Sequence, residues 1–129
     1  MLDTNVCIQL LNKPSPQLVQ KLSERPPSNF LLCSIVKSEL YYGAYKSSKQ
    51  QQNLKKLTQF FQQFKSLPFD DLSASIAGQI RTQLDAQGCP IGPNDLLIAA
   101  IALANELTLI THNTREFARI DTLAYEDWE

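Results

Sequence analysis

Short apolar segments of strand length alternate along this chain with longer segments that carry apolar residues at helical spacing. This alternation constrains the fold strongly, because a strand followed by a helix and then another strand favours a parallel pair in one sheet. We therefore predict an α/β fold, a three-layer α/β/α sandwich with a mostly parallel central sheet. The predicted strands are residues 1–2, 30–34, 67–69, 107–111 and 123–125, and the predicted helices are residues 5–11, 16–25, 35–45, 50–64, 73–87 and 95–105.

Length and composition indicate one globular domain over residues 1–129, with 43% hydrophobic and 19% charged residues. No apolar run approaches the roughly 18 residues of a membrane span, and the N-terminus lacks the features of a signal peptide. We therefore expect a cytoplasmic protein. The three cysteines, Cys7, Cys33 and Cys89, form no CxxC pair, and the only histidine is His112. A zinc ribbon, a redox motif and a multi-histidine metal site are thus excluded, and any chemistry must rest mainly on carboxylates.

The charged residues are unevenly distributed, although the net charge is only −1. Residues 37–65 contain six lysines and a single acid, Glu39, whereas all four charged residues of the stretch 121–129 are acidic. The small net charge argues against a protein that binds nucleic acid by bulk charge. Two interpretations of the lysine-rich stretch stay open: the solvated face of a helix, or a local surface that contacts phosphate groups.

Asp3 directly follows the first predicted strand, at a position with two interpretations. In parallel α/β sheets, ligands bind beyond the carboxyl ends of the strands, where Asp3 is expected to lie. Asp3 can equally be a helix cap that accepts backbone N–H groups at the start of the next helix. Asn113 comes just past the end of a later strand in the same way, which indicates that the two residues share one edge of the sheet.

Glu39 lies on the apolar stripe of its predicted helix, since it comes four residues after Ile35 and three after Val36. Burying an unpaired charge there is unfavourable by several kcal/mol, or the pKa of the glutamate shifts until the group is neutral. A metal ion or a basic partner beside the carboxylate offsets this unfavourable free energy. The alternative is a glutamate at the rim whose side chain extends outward into solvent.

Asp95 is the only charge on predicted helix 95–105, which is apolar on every side. An acid in a first turn interacts favourably with the helix dipole by up to about 1 kcal/mol, which explains Asp95 in isolation. Asp3, Glu39 and Asp95 together would repel one another unless a cation neutralises them. Hard oxygen ligands favour Mg²⁺ or Mn²⁺, and such an ion binds a scissile phosphate and lowers the pKa of an attacking water.

Four segments, taken in order, resemble the PIN-domain ribonucleases, and most closely the VapC-type toxins of bacterial toxin–antitoxin pairs. The similarity runs through almost the whole chain and includes the closing EDW at residues 126–128. The four segments are MLDTN (residues 1–5), SELYYGA (38–44), PIGPNDLLIAA (90–100) and LITHNTREF (109–117).

The resemblance implies roles for individual residues. Asp3, Glu39 and Asp95 would be the acidic metal-site residues. The fourth catalytic position falls at Asn113, where many relatives carry aspartate, so less negative charge is available for a second metal ion. Either Glu116 compensates for that charge or a single ion suffices, and both options stay open.

The resemblance also implies an activity and partners. The expected reaction is Mg²⁺- or Mn²⁺-dependent endonucleolytic cleavage of RNA, which leaves 5′-phosphate and 3′-hydroxyl ends. Thr4 would support the site with its hydroxyl, and Arg115 would hold phosphate or an antitoxin carboxylate. The expected partners are a cognate antitoxin, which inserts a segment into the active-site groove, and a second copy of the chain in a homodimer. We further predict that the lysine-rich stretch guides RNA to the site.

Two other classes of protein are alternatives to the nuclease. An aspartyl-phosphate phosphatase of the DxD type needs an acid two residues after the nucleophile, where this chain has Asn5, and no receiver-domain pattern is present. A catalytically impaired PIN-like module, which binds a partner without cutting RNA, is the second alternative. That alternative rests on Asn113.

Overall fold

A computed structural model describes residues 1–129. In chain order the helices are α1 (Thr4–Asn12), α2 (Pro16–Ser23), α3 (Ser34–Lys46), α4 (Gln50–Phe61), α5 (Asp71–Ala86), α6 (Pro93–Ala104) and α7 (Thr114–Phe117). The strands are β1 (Leu31–Cys33), β2 (Lys65–Leu67), β3 (Leu109–Ile110) and β4 (Tyr125–Glu126), and a 3-10 turn at Pro27–Asn29 precedes β1. None of the helices combines the length and the apolar character that crossing a membrane requires.

Leu2 joins two pairs of parallel strands across the centre of the fold. β1 pairs with β2, and β3 pairs with β4. Leu2 donates its backbone N–H to the carbonyl of Leu31 at 3.0 Å and forms a parallel bridge with Ile110 on its other side. The order across the fold is therefore β2–β1–Leu2–β3–β4. Both strand pairs and the Leu2 bridge are parallel, which confirms the predicted α/β class with a mostly parallel sheet.

Most predicted elements are present, and several differ from the prediction at their ends. The strand predicted at residues 67–69 lies at Lys65–Leu67, because Pro68 has no N–H to donate to a neighbouring strand. The helix predicted to end at residue 64 ends at Phe61. The strands predicted at 107–111 and 123–125 are reduced to Leu109–Ile110 and Tyr125–Glu126. The short helix α7 is not among the predicted elements, since a single turn offers no apolar period to recognise.

Helix α6 lies in the hydrophobic core, as its uniformly apolar sequence predicts. Five consecutive residues in its middle, from Ile98 to Ala102, are buried. Helix α5 packs along α6, and α3 contacts α1, α4 and α6. Because the hydroxyl of Thr4 donates to Glu39, the middle of α3 lies beside the beginning of α1. This arrangement positions the acidic residues described next.

Candidate functional site

Asp3 follows Leu2 at the centre of the sheet and is only 4% exposed. Its Oδ1 accepts the backbone N–H of Thr4 at 2.8 Å, and its Oδ2 accepts the hydroxyl of Thr111 at 2.7 Å. Asp3 is therefore the N-cap of α1, as the second interpretation of its position predicted. The cap uses only Oδ1, so the Oδ2 atom is not needed for capping. Burial raises the pKa of Asp3 above its ordinary value; the bonds from Thr111 and Thr4 partly offset this, and the nearby charge of Glu39 raises it further.

Glu39 lies in the middle of α3 and is half-buried. Its Oε1 accepts the hydroxyl of Thr4 at 2.6 Å, so this bond joins α1 to α3 beside Asp3. A hydroxyl that donates to a carboxylate forms a short, charge-assisted bond, which fixes the direction of the glutamate. Glu39 forms no ion pair, and the ion pairs of the structure all involve His112. The sequence analysis offered a metal ion or a basic partner to offset the charge of Glu39, and the basic partner is absent.

Asp95, Asn113 and Glu116 form a second group, at the beginnings of α6 and α7. The Nδ2 group of Asn113 donates to Asp95 Oδ2 at 3.2 Å and to Glu116 Oε2 at 3.0 Å, so both of its N–H bonds are used. Burial raises the pKa of Asp95 to about 7, together with its interaction with the Glu116 side chain and the negative charges of Asp3, Glu116 and Glu39. The pKa of Glu116 is lowered by the interaction with Asp95 and by the hydrogen bond that Glu116 accepts from Asn113.

Thr111 is a residue of this site that the sequence analysis did not single out. It is 1% exposed, and its hydroxyl both donates to Asp3 Oδ2 and accepts the backbone N–H of Asn113 at 3.0 Å. A continuous series of hydrogen bonds therefore runs from Asp3 through Thr111 and Asn113 to Asp95 and Glu116. The signal available in the sequence was its position, because a polar residue directly after β3 shares the sheet edge with Asp3.

Of the predicted supporting residues, Thr4 and Glu116 contact carboxylates of the site and Arg115 does not. Arg115 is exposed and forms none of the hydrogen bonds or ion pairs of the structure. Arg119, one helical turn later, donates to the carbonyl of Pro90 at 2.7 Å, and its charge helps to lower the pKa of Glu116. Arg119 is thus a cation that acts on the site and that sequence analysis missed, since nothing in its local pattern distinguishes it from Arg115.

We call the carboxylates of Asp3, Glu39, Asp95 and Glu116 the acidic cluster. None of them takes part in an ion pair, and their mutual repulsion contributes to the raised pKa of Asp95. An all-oxygen donor set with an excess of negative charge suits a hard divalent cation, which typically retains several waters and binds only one or two carboxylates directly. The residues present therefore fit a divalent metal ion.

A second group of potential metal ligands lies on the surface nearby. His112 Nδ1 lies 3.0 Å from Asp127 Oδ2 and 3.4 Å from Glu129 Oε2. These three are the only His, Cys, Asp or Glu residues whose donor atoms all lie within 4.8 Å of one another, and all three are exposed. Exposed groups of this kind are common on protein surfaces without a metal ion. We therefore interpret this group as a surface cluster and the acidic cluster as the candidate site.

Comparison with known proteins gives full-length matches. Residues 1–123 match the PIN domain family. Ribonuclease VapC2 of Rickettsia felis is 40% identical over 130 residues, which cover 100% of this chain and 97% of the relative. The tRNA(fMet)-specific endonuclease VapC of Shigella flexneri is 39% identical and covers 99% of this chain, with 96% of its own length matched. The crystal structure of VapBC2 from Rickettsia felis bound to a DNA fragment from their promoter is similar with a TM-score of 0.91 at 38% identity, covering 100% of this chain and 98% of that one.

A mostly parallel sheet with an acidic cluster at its edge is the arrangement that the resemblance to PIN-domain nucleases implied. The chain belongs to the PIN-domain family and, within it, to the VapC ribonucleases. Nucleases with this domain generally depend on divalent metal ions, which agrees with the fit between the acidic cluster and a divalent cation.

Proposed function

We propose that this chain is a divalent-metal-dependent endoribonuclease and the toxin of a toxin–antitoxin pair. The observation that carries the proposal is the acidic cluster: carboxylates from the sheet edge, from α3 and from the beginnings of α6 and α7 lie near enough to raise the pKa of Asp95, and none of them forms an ion pair. Relatives matched over nearly their full length are named ribonuclease and endonuclease, which supports RNA as the substrate.

Asp3, Glu39 and Asp95 would hold the metal ion, and Mg²⁺ and Mn²⁺ are the candidates because both favour carboxylate and water oxygens. When bound, such an ion supplies positive charge to the scissile phosphate and lowers the pKa of the attacking water, so that hydrolysis leaves 5′-phosphate and 3′-hydroxyl ends. The chain's own contribution is to orient the carboxylates. The Thr4 hydroxyl fixes Glu39, and the Thr111 hydroxyl fixes Asp3.

Asn113 and Glu116 together would serve as the fourth catalytic position. The Asn113 amide is neutral, but the Glu116 carboxylate accepts a hydrogen bond from it at 3.0 Å. The negative charge that Asn113 lacks is therefore available one helical turn away. This proximity supports an active nuclease over the alternative of a PIN-like module that binds without cutting. Arg115, exposed beside this position, is proposed to contact phosphate or an antitoxin carboxylate.

The lysine-rich stretch is proposed to attract RNA to the acidic cluster. Lys46, Lys49, Lys55 and Lys56 are all exposed and none forms an ion pair, so their charge is available to phosphate groups. Replacing Lys55 and Lys56 with glutamate should weaken RNA binding at low salt. Unchanged affinity at low salt would leave these lysines as an ordinary solvated surface.

The partners and setting of the protein follow from the same family. A solved relative is a VapBC2 complex, which supports a cognate antitoxin as the partner. We propose that the antitoxin inserts a segment into the active-site groove. We also propose a homodimer, which the resemblance to the family implies. A single domain over residues 1–129 is proposed because 26 buried hydrophobic residues form one continuous cluster. Three free cysteines, two of them buried, support a location in the reducing cytoplasm.

The experiment that tests the activity is cleavage of total cellular RNA by the purified chain with Mg²⁺, with Mn²⁺ and with EDTA. Asp95→Asn is the inactivating variant, and Asp121→Asn, the same substitution at an exposed position, is its matched control. Cutting that needs a metal ion, is lost in Asp95→Asn and persists in Asp121→Asn supports the proposal. The absence of cutting by folded, antitoxin-free protein would favour the binding module.

A further inference from the structure

Arg119 connects two parts of the site that are distant in the sequence. It lies shortly after the end of α7 and is half-buried. Its Nη1 atom donates to the backbone carbonyl of Pro90 at 2.7 Å, across 29 positions of the chain. Because the donor is charged, this hydrogen bond is shorter and stronger than one between neutral groups. Arg119 therefore ties the residues that follow α7 to the segment that precedes α6.

The segment between α5 and α6 has few contacts of its own to hold its second half. Its first half is closed by the hydrogen bond from the N–H of Cys89 to the carbonyl of Leu84 at 3.0 Å. Beyond Cys89, Pro90 has no N–H to donate. The N-cap of α6 is Gly92, which has no side chain to cap the helix. The hydrogen bond from Arg119 therefore fixes the half of the segment from which α6 begins.

The charge of Arg119 also acts on Glu116. Arg119 follows Glu116 by three residues, so their side chains are neighbours on one turn. Asp95 and Asn113 contribute most to the lowered pKa of Glu116. The charge of Arg119 and the backbone N–H of Gly92 lower the same pKa further. The Glu116 carboxylate therefore lies close both to the guanidinium of Arg119 and to the residue that begins α6.

Three contacts hold α7 against the beginning of α6. Each joins a residue in or beside α7 to a residue at the start of α6: Arg119 to Pro90, Glu116 to Gly92, and Asn113 to Asp95. The third contact belongs to the acidic cluster, because Asn113 Nδ2 donates to Asp95 at 3.2 Å and to Glu116 at 3.0 Å. An amide bridges two carboxylates only while both stay within reach. The bridge therefore depends on how closely α7 is held to α6.

A direct contact between Arg119 and RNA suits the structure less well. The guanidinium group is a planar fork, so its bond to Pro90 also sets the direction of its other donors. Arg115, in contrast, is exposed and forms no hydrogen bond within the chain. A phosphate group could bind Arg115 without breaking any contact, whereas binding to a reoriented Arg119 would release the segment before α6.

We propose that Arg119 is a positioning residue of the nuclease. Its bond to Pro90 and its charge beside Glu116 hold α7 against the beginning of α6, so that the Asn113 amide meets Asp95 and Glu116 at once. This inference rests on the proposed function, in which Asp95 helps to hold the metal ion. Arg119 itself contacts neither the metal ion nor RNA and acts through the groups that orient Asp95.

The first test observes the Asn113 amide directly, by heteronuclear NMR of the nitrogen-labelled chain in EDTA. Its side-chain signal is identified by its absence from Asn113→Asp. Both Nδ2 protons are bound to carboxylates, so they should resonate downfield of those of exposed Asn94. In Arg119→Ala both protons should shift towards the Asn94 values. The matched control is Arg81→Ala, which removes an exposed arginine that forms no ion pair and should leave the Asn113 signal in place.

The second test is RNA cleavage with Mn²⁺ by the same variants. Arg119→Ala should lower kcat roughly tenfold and leave KM nearly unchanged, because Asp95 is displaced while the surface that binds RNA is not. Arg119→Lys keeps the charge and one donor and should restore most of the lost activity. Arg119→Gln keeps a donor without the charge and should restore less. Arg81→Ala should cut RNA as the unmodified chain does.

Circular dichroism of each variant separates a local change at the site from a loss of the fold. If Arg119→Ala does not fold, Arg119→Gln takes its place in both tests, with the same direction of change expected. A reduced kcat with an unshifted Asn113 signal would overturn the proposal, since Arg119 would then act on the RNA itself. A shifted signal with unchanged kcat would also overturn it, as would a lowered Tm with signal and kcat both unchanged, because the contacts would then support only the fold.

The NMR test needs neither metal ion nor RNA, so it separates this inference from the nuclease itself. A chain that never cuts RNA, but whose Asn113 signal shifts in Arg119→Ala, contradicts the nuclease and retains Arg119 as the residue that holds α7 to α6. A chain that cuts RNA equally well with and without Arg119, and whose signal is unchanged, retains the nuclease and contradicts the positioning role.

Discussion

Replacement of Asp95 by asparagine should stabilise the metal-free protein while it abolishes cleavage. The pKa of Asp95 is raised from 3.8 to about 7 by burial and by the surrounding carboxylates. A carboxyl group whose pKa is higher in the folded state opposes folding when it ionises. The protonated Asp95 carboxyl group contributes its full share to the free energy of unfolding below about pH 4. That share is lost as the pH rises through about 7. Above that pH the metal-free protein carries the full cost, which the neutral amide of Asp95→Asn does not have.

The size of this cost follows from the same pKa. A rise from 3.8 to about 7 corresponds to an upper bound of about 4 kcal/mol, at about 1.4 kcal/mol for each tenfold change. Asp95 is only half-buried, so solvent screening reduces the effect, and we expect about 1–2 kcal/mol at pH 8. For a chain of 129 residues, that corresponds to an increase in Tm of about 3–10 °C.

The assay is thermal unfolding in EDTA at a series of pH values between 4 and 8, followed by circular dichroism. The Tm advantage of Asp95→Asn should be largest at pH 8 and should shrink towards pH 4, whereas the exposed control Asp121→Asn should show no such trend. Added Mn²⁺ should raise the Tm of the unmodified chain and leave that of Asp95→Asn almost unchanged. A Tm for Asp95→Asn at or below that of the unmodified chain at pH 8 would refute the reasoning about repulsion in the acidic cluster.

Three further substitutions test individual contacts of the site. Thr111→Val keeps the shape but leaves Asp3 Oδ2 without its 2.7 Å donor, so urea unfolding should show a loss of about 1–3 kcal/mol, with Thr111→Ser closer to the unmodified chain. Asn113→Asp places a charge between two carboxylates that its amide now bridges, so the Tm in EDTA should fall and the stabilisation by Mn²⁺ should increase. Thr4→Val removes the 2.6 Å bond to Glu39, so kcat/KM for RNA cleavage should fall by roughly 10- to 100-fold with little change in Tm, because half-buried Glu39 is still hydrated. Equal losses of activity and stability in Thr4→Val would assign it a structural role only.

The helices and the sheet class were predictable because their signals are local. Long helices such as α5 and α6 carry enough turns for an apolar period to be recognised. The strands are harder, since β3 and β4 contain two residues each and Leu2 is a single bridge. Residue alternation cannot define elements of that length, and their ends depend on tertiary hydrogen bonds such as that from Leu2 to Leu31.

The acidic residues were predictable from position, whereas the contacts among them were not. Asp3 and Asn113 follow strands, and Glu39 lies on an apolar stripe, so each is conspicuous in the sequence. The bond from Thr111 to Asp3 joins residues 108 positions apart, and it depends on the register of Leu2 against β3. The bridge from Asn113 to Asp95 and Glu116 depends on how α7 turns back towards α6. No local pattern encodes these two distances.

Anomalous diffraction at the manganese edge, from crystals soaked in Mn²⁺, tests whether the acidic cluster is the metal site of a nuclease. We expect a peak bordered by the carboxylates of Asp3, Glu39 and Asp95, absent from crystals of Asp95→Asn. A peak only between His112, Asp127 and Glu129, or no peak at saturating Mn²⁺, would contradict it.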